Sequence, residues 1–354
     1  MSGAVLVIGA QSEIGQALIG RVLAEEPESQ VIAVSRSSCP DVLSSHVSDE
    51  RARLVWLRCD YSDKQMGEVV KDCADLLAEK QRTLSRLVIC NGRLHDATIS
   101  PEKRIEEIDR EALHAVFESN AVIPALWLKH LKVLLKTHLK GKIPAVIAVL
   151  SARIGSIEDN GKGGWYAYRA SKAALNMLLK TSAIEYQRTL PELRFIAFHP
   201  GTTDTPLSKP FQRSVPEGKL FTPDFVAASL LARLSEALAP VEEEAGDNRK
   251  RPPARFVAWD GEKRALNSTR KKNIRYMEKE STEQSDPVAL SSACVRSVKI
   301  CIDCQGRFGI VHRRLVDRAP VFAYRHRLIP NGKVGGPDKD DPVTTGGLGR
   351  IQGA

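Results

Sequence analysis

Short apolar runs alternate with segments of helical periodicity along the first 260 residues of the chain. The runs are continuous and do not alternate with polar residues, which is typical of strands buried on both faces. The longer segments carry apolar residues three and four positions apart, as one face of a helix does. The predicted strands are Val5–Ile8, Val31–Val34, Leu54–Leu57, Leu87–Cys90, Ile143–Leu150, Phe195–Phe198 and Phe256–Trp259. The predicted helices are Ile14–Ala24, Met66–Leu77, Ile108–Leu139 with an interruption near Pro124, Tyr166–Arg188 and Phe225–Leu238.

Buried strands that alternate with helices indicate one fold class. Parallel strands need crossover connections, and helices on both faces of the sheet then bury the strands. We therefore predict an α/β fold with a doubly wound parallel sheet of the Rossmann type. In such a sheet ligands bind at the carboxyl ends of the strands, so candidate functional residues are expected in the loops that follow them.

The alternation stops after Gly261, and the charge of the chain changes there. Residues 264–354 carry 17 Lys and Arg against 9 Asp and Glu, whereas residues 1–263 carry 35 against 34. Nearly all of the net charge of +9 therefore belongs to the last quarter of the chain. We predict a single domain over residues 1–262 and a basic C-terminal extension over residues 263–354 that is largely disordered.

Two features of the extension suggest chemistry of their own. Arg313 and Arg314, with Phe322 and Tyr324 nearby, would suit nonspecific contacts with phosphates and bases. The segment has no recognisable nucleic-acid motif, so no nucleic-acid partner is expected, and an enzyme domain with a nucleic-acid-binding tail is kept as an alternative. The motif Cys301-Ile302-Asp303-Cys304 lacks the second ligand pair of a zinc site, so no metal is expected either.

Composition excludes several other classes of protein. With 42% hydrophobic and 27% charged residues the chain has the composition of a globular protein. No apolar run approaches the roughly 18 residues of a membrane span, and the N-terminus lacks the basic segment of a signal peptide. Seven cysteines are too few for a disulfide scaffold of this length. We therefore expect a cytoplasmic protein with free thiols and no membrane partner.

The first predicted strand leads into the loop Gly9-Ala10-Gln11-Ser12-Glu13-Ile14-Gly15, and a helix follows. A glycine-bearing turn lets the backbone approach a pyrophosphate, and the positive end of the helix dipole favours that anion. The second strand ends at Arg36, where a basic residue favours the 2′-phosphate of NADP over the free hydroxyl of NAD. A simple tight turn and an ordinary surface arginine are the alternatives.

The strongest motif of the chain is Tyr168-Arg169-Ala170-Ser171-Lys172. Residues four apart share a helix face, so the phenol and the ammonium are expected to lie together. Reduction of a carbonyl needs an acid to protonate the developing alkoxide. A nearby ammonium should lower the pKa of Tyr168 towards neutral pH.

These motifs resemble those of the short-chain dehydrogenase/reductase superfamily, and within it the C-factor-like carbonyl reductases. The resemblance spans about residues 3–262 and is most specific around Tyr168 and His199. It implies that Asp60 approaches the adenine ring, that Thr203 meets the nicotinamide carboxamide and that residues 206–221 form a mobile lid. The implied cofactor-binding residues are Gly9, Gln11, Ser12, Ile14, Gly15, Arg36, Asp60, Asn91, Gly92, Lys172, Pro200, Gly201, Thr203 and Thr205.

The chain departs from the superfamily pattern in two places. Glu13 replaces the middle glycine of the phosphate loop, and we expect its side chain to turn away from the phosphates. The usual position of the catalytic serine holds Ala152, with hydroxyls one residue earlier at Ser151 and beyond the turn at Ser156. We select Ser151 to polarise the substrate carbonyl, with Ser156 as the alternative.

The predicted catalytic residues are therefore Tyr168, Lys172, Ser151 and Asn120. By resemblance Lys172 would also hold the nicotinamide ribose. Asn120 would support a water in the proton relay, and its alternative role is a polar contact inside a helix.

The predicted function is hydride transfer between a nicotinamide cofactor, with NADP(H) favoured, and a small carbonyl or alcohol substrate. A weakly active or inactive NAD(P)-sensing protein of the same fold is the alternative. A homodimer or homotetramer is expected through the helices that carry Leu131, Leu135, Leu175, Leu178 and Leu179, unless these leucines only pack on the sheet.

Overall fold

The computed structural model of the chain describes residues 3–47, 52–139, 143–239, 254–264, 298–302 and 308–312. It contains two units, Met1–Asn273 and Ile274–Ala354. The strands of the first unit are β1 (Gly3–Ile8), β2 (Gln30–Ser35), β3 (Leu54–Arg58), β4 (Thr83–Ile89), β5 (Ala145–Leu150), β6 (Leu193–His199), β7 (Thr202–Thr203), β8 (Leu220–Phe221), β9 (Ala254–Ala258) and β10 (Lys263–Arg264). Its α-helices are α1 (Glu13–Glu25), α2 (Asp41–Ser44), α3 (Asp63–Glu79), α4 (Arg110–Phe117), α5 (Ile123–Leu139), α6 (Tyr166–Tyr186) and α7 (Pro223–Leu238). In the second unit β11 (Val298–Ile302) pairs with β12 (Phe308–His312) in antiparallel fashion.

The main sheet is parallel over seven strands, in the order β3-β2-β1-β4-β5-β6-β9. The short strand β10 adds to β9 at one edge in antiparallel orientation. The predicted doubly wound parallel sheet of the Rossmann type is therefore confirmed. The strand order reverses between β1 and β4, and this reversal opens the crevice in which such folds bind their ligands.

Two apolar layers cover the sheet, one on each face. One layer packs α1 and α7 on the sheet, with Leu18 and Leu230 fully buried. The other packs α3, α5 and α6, with Trp127 and Leu179 fully buried. Burial of side chains of this size contributes roughly 1.5–3 kcal/mol each, so the sheet is a firm support for the loops at its edge.

Four helices begin at residues whose side chains accept an N–H from three positions further on: Ser12, Ser62, Asp109 and Thr222. Such caps satisfy one of the orphan donors of a first helical turn. The 21-residue helix α6 begins differently, because its N-cap residue Trp165 makes no side-chain cap. The start of α6 therefore depends on contacts from elsewhere in the chain.

The predicted break in the long helix over residues 108–139 is present. One π-helical turn, Glu118–Val122, separates α4 from α5, and Pro124 lies in the first turn of α5. Pro124 has no N–H, so it cannot donate to the carbonyl of Asn120 four residues earlier. The π-helical turn thus contains Asn120, one of the predicted catalytic residues.

The five leucines predicted to mediate self-association differ in their exposure. Leu131, Leu135, Leu175 and Leu179 are at most 1% exposed and belong to the core beneath the helices, whereas Leu178 is 38% exposed. Packing on the sheet therefore accounts for four of these five side chains.

Several expectations for the extension fall on parts of the chain that the structure leaves undescribed. These parts include the arginine cluster after His312, Cys304 and most of residues 263–354, so the predicted disorder and the domain limit at residue 262 stay predictions. Within the described residues, no helix is long and apolar enough to span a membrane. In the same ranges, no three His, Cys, Asp or Glu side chains are grouped so that they could hold a metal ion.

Candidate active site

The loop between β1 and α1 turns at Gly9, whose φ is +73°. A Cβ here would lie 2.9 Å from the main-chain nitrogen of Asn91, so a larger residue would be strained and would clash with backbone. The N–H groups of Gly9 and Ala10 donate to the carbonyl oxygen of Val34 at 2.9 and 3.1 Å. The loop is therefore held against the carboxyl ends of β2 and β4.

The side chain of Ser12 links the two ends of this loop by hydrogen bonds. Its hydroxyl donates to the carbonyl oxygen of Gly9 at 2.9 Å and accepts the N–H of Gly15 at 3.2 Å. A Cβ at Gly15 would lie 3.0 Å from that hydroxyl and 3.1 Å from Cα of Ala10. The tight packing places the start of α1, with its positive dipole end, directly behind the loop.

The remaining loop residues have different environments. Gln11 is exposed, Ile14 is buried, and Glu13 is half-buried as the first residue of α1. The carbonyl oxygen of Gln11 accepts a hydrogen bond from Gln16 at 2.7 Å. That the Glu13 carboxylate turns away from a phosphate stays a prediction.

A pocket of about 420 Å³ lies at the ends of β2 and β3, lined by Arg36, Arg58 and Asp60 among others. Arg58 pairs with Ser35 across the two strands, so both guanidinium groups belong to adjacent strand ends. Asp60 accepts the N–H of Ser62 at 2.7 Å, and hydrogen bonds from Ser62 lower the pKa of its carboxyl below the usual value. Arg58 is not among the predicted cofactor-binding residues, although its position as the last residue of β3 was a usable signal.

Asn91 and Gly92 follow β4 and face the centre of the site. The side-chain oxygen of Asn91 is buried and has no hydrogen-bond partner among the described residues. A Cβ at Gly92 would lie 3.8 Å from Oδ1 of Asn120 and 3.9 Å from Nζ of Lys172. The β4 loop therefore meets two of the predicted catalytic residues.

Asn120 is fully buried in the π-helical turn. Its Oδ1 accepts the N–H of Arg93 at 2.7 Å, and its Nδ2 donates to the carbonyl of Arg93 at 2.8 Å and to Oγ of Ser171 at 3.0 Å. The side chain thus ties the β4 loop to α6. If Asn120 serves a proton relay, the group to do so would be its main-chain carbonyl, to which Pro124 cannot donate.

Tyr168 and Lys172 lie one turn apart on α6, with Nζ of Lys172 5.8 Å from the centroid of the phenol ring. Lys172 is 2% exposed, and its ammonium donates to the carbonyl oxygen of Leu150 at 2.9 Å. Burial lowers the pKa of Lys172 to about 8 and raises the pKa of Tyr168 to about 12. The expected lowering of the Tyr168 pKa is therefore wrong for this structure, because loss of solvent outweighs an ammonium at this distance.

The hydroxyl of Ser151 is already engaged. It donates to Oδ1 of Asn176 at 2.7 Å, and both residues are buried. Ala152 follows in extended conformation, and Oγ of Ser156 accepts the N–H of Asp159 at 3.4 Å. Neither serine hydrogen-bonds Tyr168 or Lys172 in the described part of the chain, so the role of Ser151 stays a prediction.

The turn after β6 carries Pro200, Gly201, Thr203 and Thr205. Gly201 has φ +74°, and a Cβ there would lie 2.6 Å from the ring of Phe221. Thr203 is 5% exposed, and its hydroxyl has no hydrogen-bond partner among the described residues. Thr205 donates to the carbonyl oxygen of Thr203 at 3.4 Å, so the turn is compact and closes against β8.

Aromatic rings connect the predicted lid to Tyr168. Phe211, in the 3₁₀ turn Lys209–Ser214, lies 4.8 Å from Trp165 and 5.6 Å from His95 between ring centroids. Trp165 in turn lies 6.2 Å from Tyr168. This aromatic cluster of His95, Trp165 and Phe211 could not be predicted, because its rings come from three distant segments and only Trp165 adjoins a recognised motif.

The residues of the site fit a nicotinamide dinucleotide. Two buried acceptors without partners among the described residues, on Asn91 and Thr203, flank the cleft. Gly9 supplies a backbone turn that an anion can approach, at the start of a helix. Buried polar atoms are rarely left unpaired unless a ligand or a functional need explains them.

The comparisons with known proteins agree with this geometry. The sequence model of the family described as short chain dehydrogenase matches residues 3–215. The chain is 26% identical to 1-hydroxy-2-glutathionyl-2-methyl-3-butene dehydrogenase of Rhodococcus sp. (strain AD45) over 257 residues, which are 72% of this chain and 99% of that protein. It is 35% identical to the C-signal of Myxococcus xanthus over 95 residues, which are 27% of this chain and 51% of that protein.

A solved structure shares the fold. The NADPH-bound carbonyl reductase from chicken fatty liver superposes with a TM-score of 0.59 at 23% identity, over 75% of this chain and 99% of that one. The predicted resemblance is confirmed, with C-signal and carbonyl reductases among the similar proteins. The chain belongs to the short-chain dehydrogenase family, whose members are oxidoreductases that use a nicotinamide cofactor.

Proposed function

We propose that the protein is an NADP(H)-preferring oxidoreductase that interconverts a small carbonyl compound and the corresponding alcohol. The observation that carries the proposal is that Asn120 and Lys172 meet beside Gly92, while the Lys172 ammonium also lies 5.8 Å from the centroid of the Tyr168 phenol ring. A phenol beside an ammonium is a suitable acid for protonating an alkoxide. The surrounding loops supply the anion-binding turn that a dinucleotide requires.

Cofactor binding is assigned to the carboxyl edge of the sheet. The turn Gly9–Gly15 would receive the pyrophosphate, and Thr203 would meet the nicotinamide. Arg36 and Arg58 would bind the 2′-phosphate, because both line one pocket and guanidinium groups suit a phosphate dianion. The NADPH held by the similar chicken carbonyl reductase supports the same preference.

A reduced nicotinamide would supply hydride to the carbonyl carbon of the substrate. Tyr168 donates its hydroxyl proton to the carbonyl oxygen and becomes a phenolate. Because its pKa is raised to about 12, the phenol is protonated at neutral pH, which is the form that reduction needs. Lys172 then stabilises the phenolate, and a proton returns to Tyr168 from solvent past the carbonyl of Asn120.

Polarisation of the carbonyl is the weak point of the site. The usual serine position holds Ala152, and the Ser151 hydroxyl is bonded to Asn176. Loss of one such donor typically lowers kcat by about 10²–10³. This observation favours the second candidate function, a protein that binds the cofactor with weak or no turnover.

Self-association is proposed through the outer faces of α5 and α6. Met177, Leu178 and Ile184 of α6 are 53%, 38% and 45% exposed, and Val133 of α5 is 70% exposed. Exposed apolar patches mark interaction surfaces, which supports a homodimer or homotetramer. The molecular mass in solution, measured for the wild type and for Met177→Glu, tests this assignment, and a monomeric wild type would refute it.

The decisive experiment measures NADPH oxidation with a panel of aldehydes, ketones and quinones. Tyr168→Phe is expected to lose about 10²–10⁴-fold in kcat while still binding NADPH. Tyr166→Phe, two residues earlier on the same helix, is the matched control and should stay within about twofold of wild type. Cofactor binding without Tyr168-dependent turnover would favour the sensing protein, and absence of cofactor binding would refute both functions.

A further inference from the structure

Glu102 is a buried carboxylate beside the proposed active site, in the segment between β4 and α4. The residue is only 4% exposed. Acidic side chains are almost never buried to this extent unless they are paired. Over the described part of the chain Glu102 forms no salt bridge, and the neighbouring bridge of Arg104 is made with Glu107 instead. The burial of Glu102 therefore needs another explanation.

The partners of Glu102 are main-chain groups at the start of α6. Both carboxylate oxygens lie 3.3 Å from the N–H of Ala167, the second residue of the helix. The carbonyl oxygen of Glu102 accepts the N–H of Trp165 at 2.5 Å. Since Trp165 makes no side-chain cap, Glu102 does from 65 residues away what an N-cap serine or aspartate does locally. Its negative charge also faces the positive end of the helix dipole.

The turn that Glu102 holds is conformationally costly. Gly163, Gly164 and Trp165 all have positive φ, at +67°, +65° and +54°. A left-handed conformation is uncommon for a bulky residue such as tryptophan, so the surrounding structure must impose it. A Cβ at Gly164 would lie 3.2 Å from the carbonyl oxygen of Glu102, which places that carbonyl against the strained turn. Glu102 thus fixes the turn and the helix start together.

We propose that Glu102 is a positioning residue for Tyr168. By holding the first turn of α6 it sets the orientation of the phenol and of the Trp165 ring packed beside it. Tyr168 directly follows Ala167, so movement of that peptide moves the phenol. Lys172 is positioned separately, because its Nζ donates to the carbonyl oxygen of Leu150 at 2.9 Å. A Cβ added at Gly155 would lie 2.8 Å from the Lys172 carbonyl carbon, so the backbone packs closely there as well. Loss of Glu102 would therefore displace Tyr168 relative to Lys172. The catalytic consequence rests on the proposed function of Tyr168.

Three variants of the full chain test the proposal. Glu102→Ala removes the acceptor, and Glu102→Gln keeps an oxygen for the Ala167 N–H without the charge. Glu106→Gln, an exposed acid in the neighbouring 3₁₀ turn Ile105–Glu107, is the matched control. Amide hydrogen exchange over residues 163–172 is measured first, because it does not depend on turnover. Glu102→Ala should accelerate exchange of the first α6 turn by about twofold to thirtyfold, Glu102→Gln by at most about fivefold, and Glu106→Gln not at all.

The second measurement separates kcat from KM in NADPH oxidation. Glu102→Ala should lower kcat by about tenfold to 100-fold. KM for NADPH should change little, because the phosphate loop follows β1, whereas Glu102 follows β4 and the start of α6 follows β5. Glu102→Gln should restore most of that loss. Unchanged exchange in Glu102→Ala, or raised exchange with wild-type kcat, would overturn the proposal. A wild type without turnover would refute the proposed function, and exchange would still decide whether Glu102 fixes the first turn.

Discussion

Gly155→Ala is expected to lower both stability and catalytic rate, because the added methyl group would clash with α6, the helix that carries Tyr168 and Lys172. Gly155 ends the 3₁₀ turn Arg153–Gly155 after β5. A Cβ there would lie 2.8 Å from the carbonyl carbon of Lys172, 2.9 Å from its Cβ and 3.0 Å from the nitrogen of Ala173. Two of these three atoms are backbone, so the methyl group can be accommodated only if α6 and the 3₁₀ turn that carries Gly155 move apart. Overpacking of this kind typically destabilises a protein by about 1–3 kcal/mol.

The expected size of the effect follows from that displacement. For a domain of this size the thermal midpoint should fall by roughly 2–4 °C per kcal/mol. Misplacement of a catalytic group by ~1 Å can lower the rate about 100-fold, so a smaller shift of Lys172 should lower kcat by about tenfold or more. Gly20→Ala is the matched control, because Gly20 lies inside α1 and a Cβ there meets nothing within 4 Å.

Thermal denaturation and NADPH oxidation decide the question. Gly20→Ala should stabilise the protein by about 0.5–1 kcal/mol with unchanged kcat, since alanine suits a helix interior better than glycine. A Gly155→Ala variant with wild-type midpoint and wild-type kcat would show that the packing of Gly155 against Lys172 does not control the helix. Equal changes in both variants would point to backbone flexibility as the cause.

Three further outcomes are expected. Ala152→Ser should raise kcat by about 10²-fold by restoring a donor to the substrate carbonyl, and an unchanged kcat would mean that another group polarises it. Arg36→Ala should raise KM for NADPH by about tenfold to 100-fold and leave KM for NADH nearly unaltered, and equal losses would contradict a 2′-phosphate contact. The rate of carbonyl reduction should fall above about pH 8, because burial lowers the pKa of Lys172 to about 8 and the ammonium loses its proton there. Tyr168 stays protonated over that range. In Lys172→Arg the residual rate should show no such fall, and a fall that persists would assign the titration to another group.

The sheet and the spacing of the acid and the ammonium could be predicted because both depend on local periodicity. Continuous apolar runs identify strands such as Val31–Val34, and a four-residue interval on a helix brings Tyr168 and Lys172 to one face. Even the break before Pro124 follows from the chemistry of a single residue. These features need no knowledge of what packs against them.

The direction of the Tyr168 pKa could not be predicted from the same information. Spacing indicates a nearby ammonium, but the balance between charge and burial depends on the depth of the site, which only tertiary packing determines. Glu102 escaped sequence analysis for a related reason, because its partner Ala167 is 65 residues away. The only hint in the sequence was the lack of a local capping side chain, since α6 begins after two glycines and a tryptophan. A helix that starts in this way needs a capping group from elsewhere in the chain.

Burial shifts the pKa values of Tyr168, the proposed acid, and of the Lys172 ammonium in opposite directions. Burial moves the pKa of Tyr168 up to about 12 and that of Lys172 down to about 8, so the neutral phenol is favoured and the positive charge is disfavoured. Each reduction must nevertheless create a phenolate beside that ammonium. The pair is thus efficient only if its separation is held closely, because attraction inside a buried site changes steeply with distance. Glu102 contacts Ala167 just before Tyr168, and Gly155 packs against the main chain of Lys172. Contacts outside the reacting groups should therefore govern the rate.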